Sequence, residues 1–268
     1  MQLFNRTLRE VDSPFGHYQV IETIYRGRPA RVLFSGDRAA AQSGIAMDDN
    51  PELLFEYNQR LMEIVAARQP RRILLIGGGA YTLPRALGRI PQPPIKLDVV
   101  ERDSMLLELA EKYFDFTTWS GLEIHHDDGR NFLNTTTEAY DMIIVDAFAD
   151  LSVPRSLVTL EALQAYRSHL VPDGVLAMNV IAAMRSPAAN VIDHLNAAGS
   201  VIWPHLEILA VERGFDAWQP QNLLFTAYHH GPAIGPLIHC ATLPLLAADP
   251  AATLHDQLST VDHDNISV

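Results

Sequence analysis

The chain changes texture at Arg72. Before it, apolar and polar residues alternate in short runs, Tyr18-Gln19-Val20-Ile21-Glu22-Thr23-Ile24 and Ala30-Arg31-Val32-Leu33-Phe34, punctuated by Gly27 and Gly36-Asp37. Period-two alternation broken by turn residues predicts antiparallel hairpins over 15–43. Asp49-Asn50-Pro51 then opens a helix that runs to Arg68, with Leu53, Leu54, Tyr57, Leu61, Ile64 and Val65 at helical spacing. After Arg72, near-continuous apolar runs alternate with helical patterns. Strands are predicted over 73–76, 97–101, 122–125, 140–145, 175–180, 201–211 and 223–228, and helices over 81–88, 104–114, 158–170 and 188–198. Pro84 falls in the first turn of its helix, where its missing N–H costs nothing. Apolar strands separated by helices specify a doubly wound α/β fold whose mostly parallel sheet is covered on both faces. Beyond Gly231 the pattern fades, and Asp262-His263-Asp264-Asn265 reads as a frayed tail. The expected organisation is a β-hairpin domain over 1–50, a connecting helix over 51–70, a doubly wound domain over 71–232 and a partly flexible extension over 233–268.

Composition narrows the possibilities. The 268 residues are 48% hydrophobic, enough for a sizeable core, and carry a net charge of -12. That charge argues against a nucleic-acid partner, which needs a basic footprint, and mildly favours a cationic or neutral small molecule. The single cysteine, Cys240, permits no disulfide framework or Cys-x-x-Cys pair and reads as a small buried hydrophobe. Residues 1–12 alternate in charge without the apolar core of a signal peptide, and no apolar run is long enough to span a membrane. A cytoplasmic location without membrane attachment is the expectation.

In a doubly wound sheet, ligands bind beyond the carboxyl ends of the strands. Four such ends carry chemistry here. Ile73-Leu74-Leu75-Ile76 runs into Gly77-Gly78-Gly79, where the backbone can turn tightly and approach a ligand. A strict G-x-G-x-x-G would need glycine at 82, where Thr82 stands. About twenty residues on, Glu101 ends the second strand, where a carboxylate can accept both hydroxyls of a ribose. Asp103 fits better as the N-cap of the following helix. Asp127-Asp128-Gly129 follows the third strand, where a carboxylate can accept from the exocyclic amine of an adenine. Asp146 ends the most apolar strand, placed to orient an amine nucleophile, take its proton or neutralise a cationic substrate. Asp150 lies in a loop before Val153-Pro154 that is expected to close over the substrate. There is no G-x-S-x-G elbow and no phosphate-binding G-x-x-x-x-G-K-[ST] loop. The eleven histidines show no metal-ligand spacing, so no metal is expected; His125-His126 and His229-His230 read as strand-end residues.

Together these residues resemble the spermidine synthase family, the polyamine aminopropyltransferases with their methyltransferase-like relatives. The resemblance runs from about Tyr18 to Ile181. It rests on Ala41-Gln42-Ser43, Asp49-Asn50-Pro51…Phe55-Glu56-Tyr57, Ile76-Gly77-Gly78-Gly79, Val100-Glu101-Arg102-Asp103, Asp128-Gly129 and Ile144-Val145-Asp146. The stretch Asp146-Ala147-Phe148…Val153-Pro154…Leu157-Val158-Thr159-Leu160-Glu161 is most similar to the spermidine-synthase-like branch. The resemblance implies a seven-stranded, Rossmann-like sheet of the class I methyltransferase type behind a small N-terminal antiparallel β-domain, and a homodimer. It places Gln42, Gly77, Gly78 and Gly79 at the donor, with Glu101 on the ribose, Arg102 beside it, and Asp128 with Gly129 at the adenine. Asp146 and Asp150 become the acids at the nucleophile, Asp146 also touching the donor.

The chain departs from the family pattern at three places. Aminopropyltransferases carry Asp after the glycines, paired with the donor's aminopropyl ammonium; here Ala80 stands there. They carry Tyr-His-Glu in the helix before the glycine loop; here Glu56-Tyr57-Asn58 stands there, without a His. Their Asp-x-x-Asp-Pro loop becomes Asp146-Ala147-Phe148-Ala149-Asp150, with the second acid shifted and the Pro gone. Losing the Asp removes a charge-assisted bond worth roughly 1.5–3 kcal/mol and relaxes discrimination against the carboxylate of intact S-adenosylmethionine. The first expectation is therefore S-adenosylmethionine-dependent methyl transfer to a small acceptor, an amine among the candidates. The alternatives are polyamine aminopropyl transfer from decarboxylated S-adenosylmethionine and non-catalytic nucleoside binding in a regulatory protein. A nicotinamide dehydrogenase is disfavoured by the missing third glycine and the β-domain in front.

Overall fold

The computed structural model describes residues 5–36, 40–49, 53–91, 94–148, 152–185, 191–238, 240–245 and 255–256. Two sheets organise these residues. The first is an antiparallel meander of β1 (Arg6–Ser13), β2 (Gly16–Tyr25), β3 (Arg28–Ser35) and β4 (Ala40–Ala46), in that spatial order. Arg26 and Gly27 both adopt positive φ, 48° and 82°, the backbone that a two-residue hairpin turn needs to match strand twist. β1 adds to the expected hairpins. Its residues are half-exposed or exposed, so no apolar alternation marks it, and pairing with β2 alone makes it a strand.

After α1 (Glu56–Arg68), the second sheet is built from β5 (Arg72–Ile76), β6 (Lys96–Val100), β7 (Leu122–His125), β8 (Tyr140–Val145), β9 (Leu170–Ala182), β10 (His205–Ala210), β11 (Gln221–Tyr228) and β12 (Ala241–Leu243). Their spatial order is β12-β10-β11-β9-β8-β5-β6-β7. The pairs from β9 through β8, β5 and β6 to β7 are parallel, while β11, β10 and β12 pair antiparallel. Between the strands lie α2 (Thr82–Gly88), α3 (Ser104–Tyr113), α4 (Gly129–Thr135), a 3-10 turn at Arg155–Leu157, α5 (Leu160–His169), α6 (Val191–Ile202) and α7 (Ile234–Leu237). Strands buried on both faces divide the core in two. One half packs α1 and α2 against the sheet through Leu61, Ile64, Leu83 and Leu75. The other packs α5 and α6 through Leu163, Tyr166, Leu195 and Phe225. A third cluster of Tyr18, Val20, Leu33, Ala80, Leu106 and Phe114 seals the first sheet onto α3.

The structure corrects several expectations. The sheet has eight strands among the described residues, not seven, because β12 extends it past β10. α1 starts at Glu56, not at Asp49. Leu54 and Phe55 are buried in an extended lead-in, so apolar spacing alone could not mark the start. α6 runs on to Ile202, and the strand expected from 201 begins at His205; Pro204 cannot continue a helix, and Val201 is 77% exposed. α4 was not anticipated from the sequence. Cys240 is half-buried, its thiol donating to the Ala210 carbonyl at 3.1 Å. Residues 262–265 lie outside the described set. Among the described residues no helix is long and apolar enough to cross a membrane.

The segment after Gly231 is held by a buried acid. Glu207 on β10 accepts from the Tyr228 hydroxyl at 2.6 Å, from the Ile234 and Gly235 amides at 2.6 and 2.9 Å, and from the Thr242 hydroxyl at 3.3 Å. Its truncation leaves four donors facing an emptied pocket. Glu207→Ala is expected to cost about 2–4 kcal/mol in urea unfolding, with Glu207→Gln recovering part of the loss.

Candidate active site

Register brings the chemistry together. Ile76 lies opposite Val145, and Val145 opposite Met178, so the ends of β5 and β8 reach the same level of the sheet as Asn179 on β9. Gly77 then turns away with φ 97°, its amide donating to the Val100 carbonyl at 2.9 Å. A Cβ on Gly77 would stand 2.3 Å from the Asp146 carbonyl oxygen, so only glycine lets the two strand ends approach this closely. Gly79 also has positive φ, 52°, and Tyr81 in the left-handed region starts α2.

Beyond these strand ends lies a cleft of about 450 Å³ between the first sheet and the second. That size suits a small-molecule ligand. Gln42, Gly77, Gly78, Gly79 and Glu101 all line it, as do Arg102, Asp128, Gly129 and Asp146. Asp150 lies outside the described residues. The first sheet closes one wall, and Ser43 Oγ and Thr82 Oγ1, 2.9 Å apart, tie it to α2.

Each acid is held differently. Glu101 is 8% exposed, with Oε2 accepting from the Gly78 amide at 2.8 Å and Oε1 from the Asp103 amide at 2.9 Å. Burial pushes its carboxyl up, and backbone N–H groups of Asp103, Gly78 and Gly79 hold it back. A carboxylate offers about four lone-pair sites, so each oxygen can still accept from a ribose hydroxyl. Asp103 caps α3, accepting from the Met105 amide at 3.0 Å, as its position implied. Asp128 is also a cap: its Oδ1 accepts from the Arg130 and Asn131 amides of α4 at 2.8 and 3.2 Å. Gly129 starts that helix where a Cβ would meet Ile76 Cγ2 at 2.5 Å, so it serves close packing as well as the cleft wall.

Asp146 lies at the cleft floor. Asn179 Nδ2 donates to its Oδ1 at 2.9 Å and the Tyr57 hydroxyl to its Oδ2 at 3.1 Å. Burial outweighs these two donors and pushes its carboxyl up to about 6. The same burial, with Asp146 alongside, raises the Tyr57 hydroxyl. Two buried amide oxygens in the cleft lining, Oδ1 of Asn58 and Oδ1 of Asn179, have no partner among the described residues. They are acceptors waiting for a donor, and a buried acceptor left unpaired is costly. Sequence reasoning did not assign Tyr57, Asn58 or Asn179 to the site. Asn179 had a visible signal: it is the one polar residue in the run from Val175 to Ile181, one step past the register partner of Val145.

Ala80 does not line the cleft. It is 1% exposed and packs in the apolar cluster with Tyr18, Leu106 and Phe114. Asp98, Glu123 and His125 bring ligand atoms within 4.8 Å of one another at the sheet edge, and Arg72 already engages Asp98 there at 3.0 Å.

A model described as the spermine/spermidine synthase domain matches residues 54–200. The chain belongs to this family. The polyamine aminopropyltransferase of Vibrio vulnificus (strain CMCP6) is 32% identical over 120 residues, 44% of this chain and 40% of that protein, so the chain spans less than half of that relative's length. A probable spermidine synthase from Corynebacterium glutamicum ATCC 13032 superposes with a TM-score of 0.69 at 21% identity, covering 82% of this chain and 79% of that one. A spermidine synthase solved in complex with the transition state analogue AdoDATO superposes with a TM-score of 0.63 at 20% identity, covering 83% and 73%. At such identities these likenesses speak for the fold of this family member.

The Asp146 carboxyl carries a folded-state cost. Its folded value, about 6, stands above the ordinary 3.8, so protonation is favoured in the folded protein. Stability from this group is full below pH 4 and lost as pH rises through about 6. Asp146→Asn keeps the shape without the charge: its oxygen still accepts from Asn179 Nδ2, and its amide nitrogen donates to the Tyr57 hydroxyl oxygen, reversing that bond. At pH 7.5 it should exceed the wild type in stability by on the order of 2 kcal/mol, relative to their difference at pH 3.5, in parallel denaturation series.

Proposed function

We propose that this protein transfers an alkyl group from an adenosyl-sulfonium donor to an amine nitrogen, the group being the aminopropyl chain of decarboxylated S-adenosylmethionine. Asp146 carries the reading. A carboxylate poised near neutrality, with two unpartnered amide oxygens beside it, suits an amine that must be held, neutral and lone pair forward. The names of the aminopropyltransferase and spermidine synthase relatives support the choice of alkyl group.

The fit rests on the glycine turn, where no Cβ could stand, and on a cleft of suitable size. Glu101 would take the ribose hydroxyls, Asp128 the adenine amine, and Gln42 would reach the nucleoside from the first sheet. The sulfonium, when bound, supplies an activated carbon whose bond to sulfur breaks with its electron pair as the amine lone pair forms the new C–N bond. Asp146 accepts the proton that the acceptor nitrogen loses. The acceptor enters as an ammonium; once it has given that proton to Asp146, its two remaining N–H groups donate to Oδ1 of Asn58 and Oδ1 of Asn179, its lone pair is free to attack, and Tyr57 and Asn179 fix the carboxyl group. Alignment is the main contribution, since effective molarities for well-placed groups reach about 10⁵ M or more.

A second reading, methyl transfer from intact S-adenosylmethionine, is favoured by one observation. Ala80 presents no charge to the donor's tail and is committed to apolar packing. Calorimetry with both donors, followed by turnover with a diamine, decides between them. Aminopropyl transfer predicts tighter binding of the decarboxylated donor and a methylthioadenosine product. Tighter binding of the intact donor with release of S-adenosylhomocysteine selects the second reading. Asp146→Asn should lower kcat at least about 100-fold under either while leaving donor affinity within about 3-fold. Binding of a donor without turnover of any amine would leave a nucleoside-binding protein.

A further inference from the structure

The cleft has an aromatic wall that none of the site residues above accounts for. Phe15 sits in the turn between β1 and β2, lines the cleft and is 47% exposed. An isolated exposed aromatic needs no explanation. This one is engaged: the Arg102 guanidinium stands 5.0 Å from its ring centroid, and Arg102 also lines the cleft. The turn is anchored as well. Ser13 Oγ donates to Asp103 Oδ2 at 2.5 Å and accepts from the Phe15 amide at 3.0 Å. The Asp103 amide in turn donates to Glu101 at 2.9 Å. A continuous chain of hydrogen bonds thus runs from the aromatic turn to the acid placed at the ribose. Arg102 follows Glu101 directly, and Asp127, Asp128 and Gly129 form the wall of the neighbouring strand end.

We infer that Phe15 and Arg102 form a clamp for the nucleobase, a ring from the β1–β2 turn and a guanidinium from the loop after β6 that lie on each other in the free protein and part to take a purine between them. The inference rests on reading the cleft as an adenosyl site. Three physical facts favour it. Purines stack on aromatic and guanidinium planes alike, and the preference is tolerant of the base's edge. A phenyl ring at the end of a short turn has few torsions to freeze, so it loses little entropy on stacking. The Arg102 charge adds cation–π attraction to whichever ring lies beside it, Phe15 in the free protein and the purine when bound. The clamp assigns the N-terminal sheet a recognition role beyond that of Gln42.

The test uses the full chain, with 5′-methylthioadenosine and, lacking the base, 5-methylthioribose as probes in calorimetry. Phe15→Ala should weaken methylthioadenosine about ten-fold and leave methylthioribose unchanged, while Phe15→Tyr restores wild-type affinity. Phe15→Trp should bind normally and add an indole emission component that methylthioadenosine quenches and methylthioribose does not. Equal methylthioadenosine affinity in wild type and Phe15→Ala overturns the clamp and leaves the adenosyl reading standing. Equal losses for both probes also overturn it, by showing that Phe15 only shapes the fold. A wild-type protein that binds neither methylthioadenosine nor S-adenosylhomocysteine overturns the adenosyl reading itself, and the clamp with it.

Discussion

Everything at this site depends on a carboxylate that the protein uses on itself. Glu101 spans the space between the glycine turn after β5 and the loop after β6, one oxygen on the Gly78 amide and the other on the Asp103 amide. The bonds are charge-assisted and almost out of water, where such contacts are strongest and their loss most costly. They hold the turn in which Gly77 and Gly79 take positive φ and the cleft opens, and they orient Asp103, which caps α3 and receives Ser13 from the first sheet. One buried acid therefore sets the turn, the helix start and the closure of the N-terminal wall. A ligand hydroxyl arriving at Glu101 finds a rigid acceptor.

Asp146 shows the opposite compromise. Its two donors, Tyr57 and Asn179, are too few to offset burial, so its carboxyl stays near neutrality. A better-solvated or better-bonded acid would be more stable and a poorer proton acceptor. The unpaired oxygens of Asn58 and Asn179 store a similar cost, which a ligand's N–H groups would remove. The site spends stability where chemistry is expected, and the buried Glu207, with all its contacts made, belongs to the scaffold.

The residue after the glycines has been taken over by packing. Ala80 joins Tyr18, Leu33, Leu106 and Phe114 in the seam between the first sheet and α3. A carboxylate placed there in this geometry would be buried without a partner, which costs far more than an exposed one. Apolar packing in the seam holds this position here. On the proposed reading, discrimination at the donor tail falls to the remaining wall of the cleft.

Much of this was written in the pattern of residues. Apolar runs meeting glycines or acids mark β5, β6, β7 and β8, and because parallel strands deliver their ends to one edge, Gly77, Glu101, Asp128 and Asp146 are brought together from the sequence alone. The sequence could not show α4, since Gly129–Thr135 has no apolar period and its start is fixed by the Asp128 cap. Nor could it show β1 and β12, which are strands only because a neighbour pairs with them. Local periodicity determines which face an element buries, and that much is a property of the chain alone. Which side chains then meet across elements, Tyr57 and Asn179 on Asp146 or Phe15 on Arg102, was decided only by tertiary structure. The physical reason is that burial and hydrogen bonding at the cleft depend on distances between residues far apart in the chain, and no local pattern encodes them.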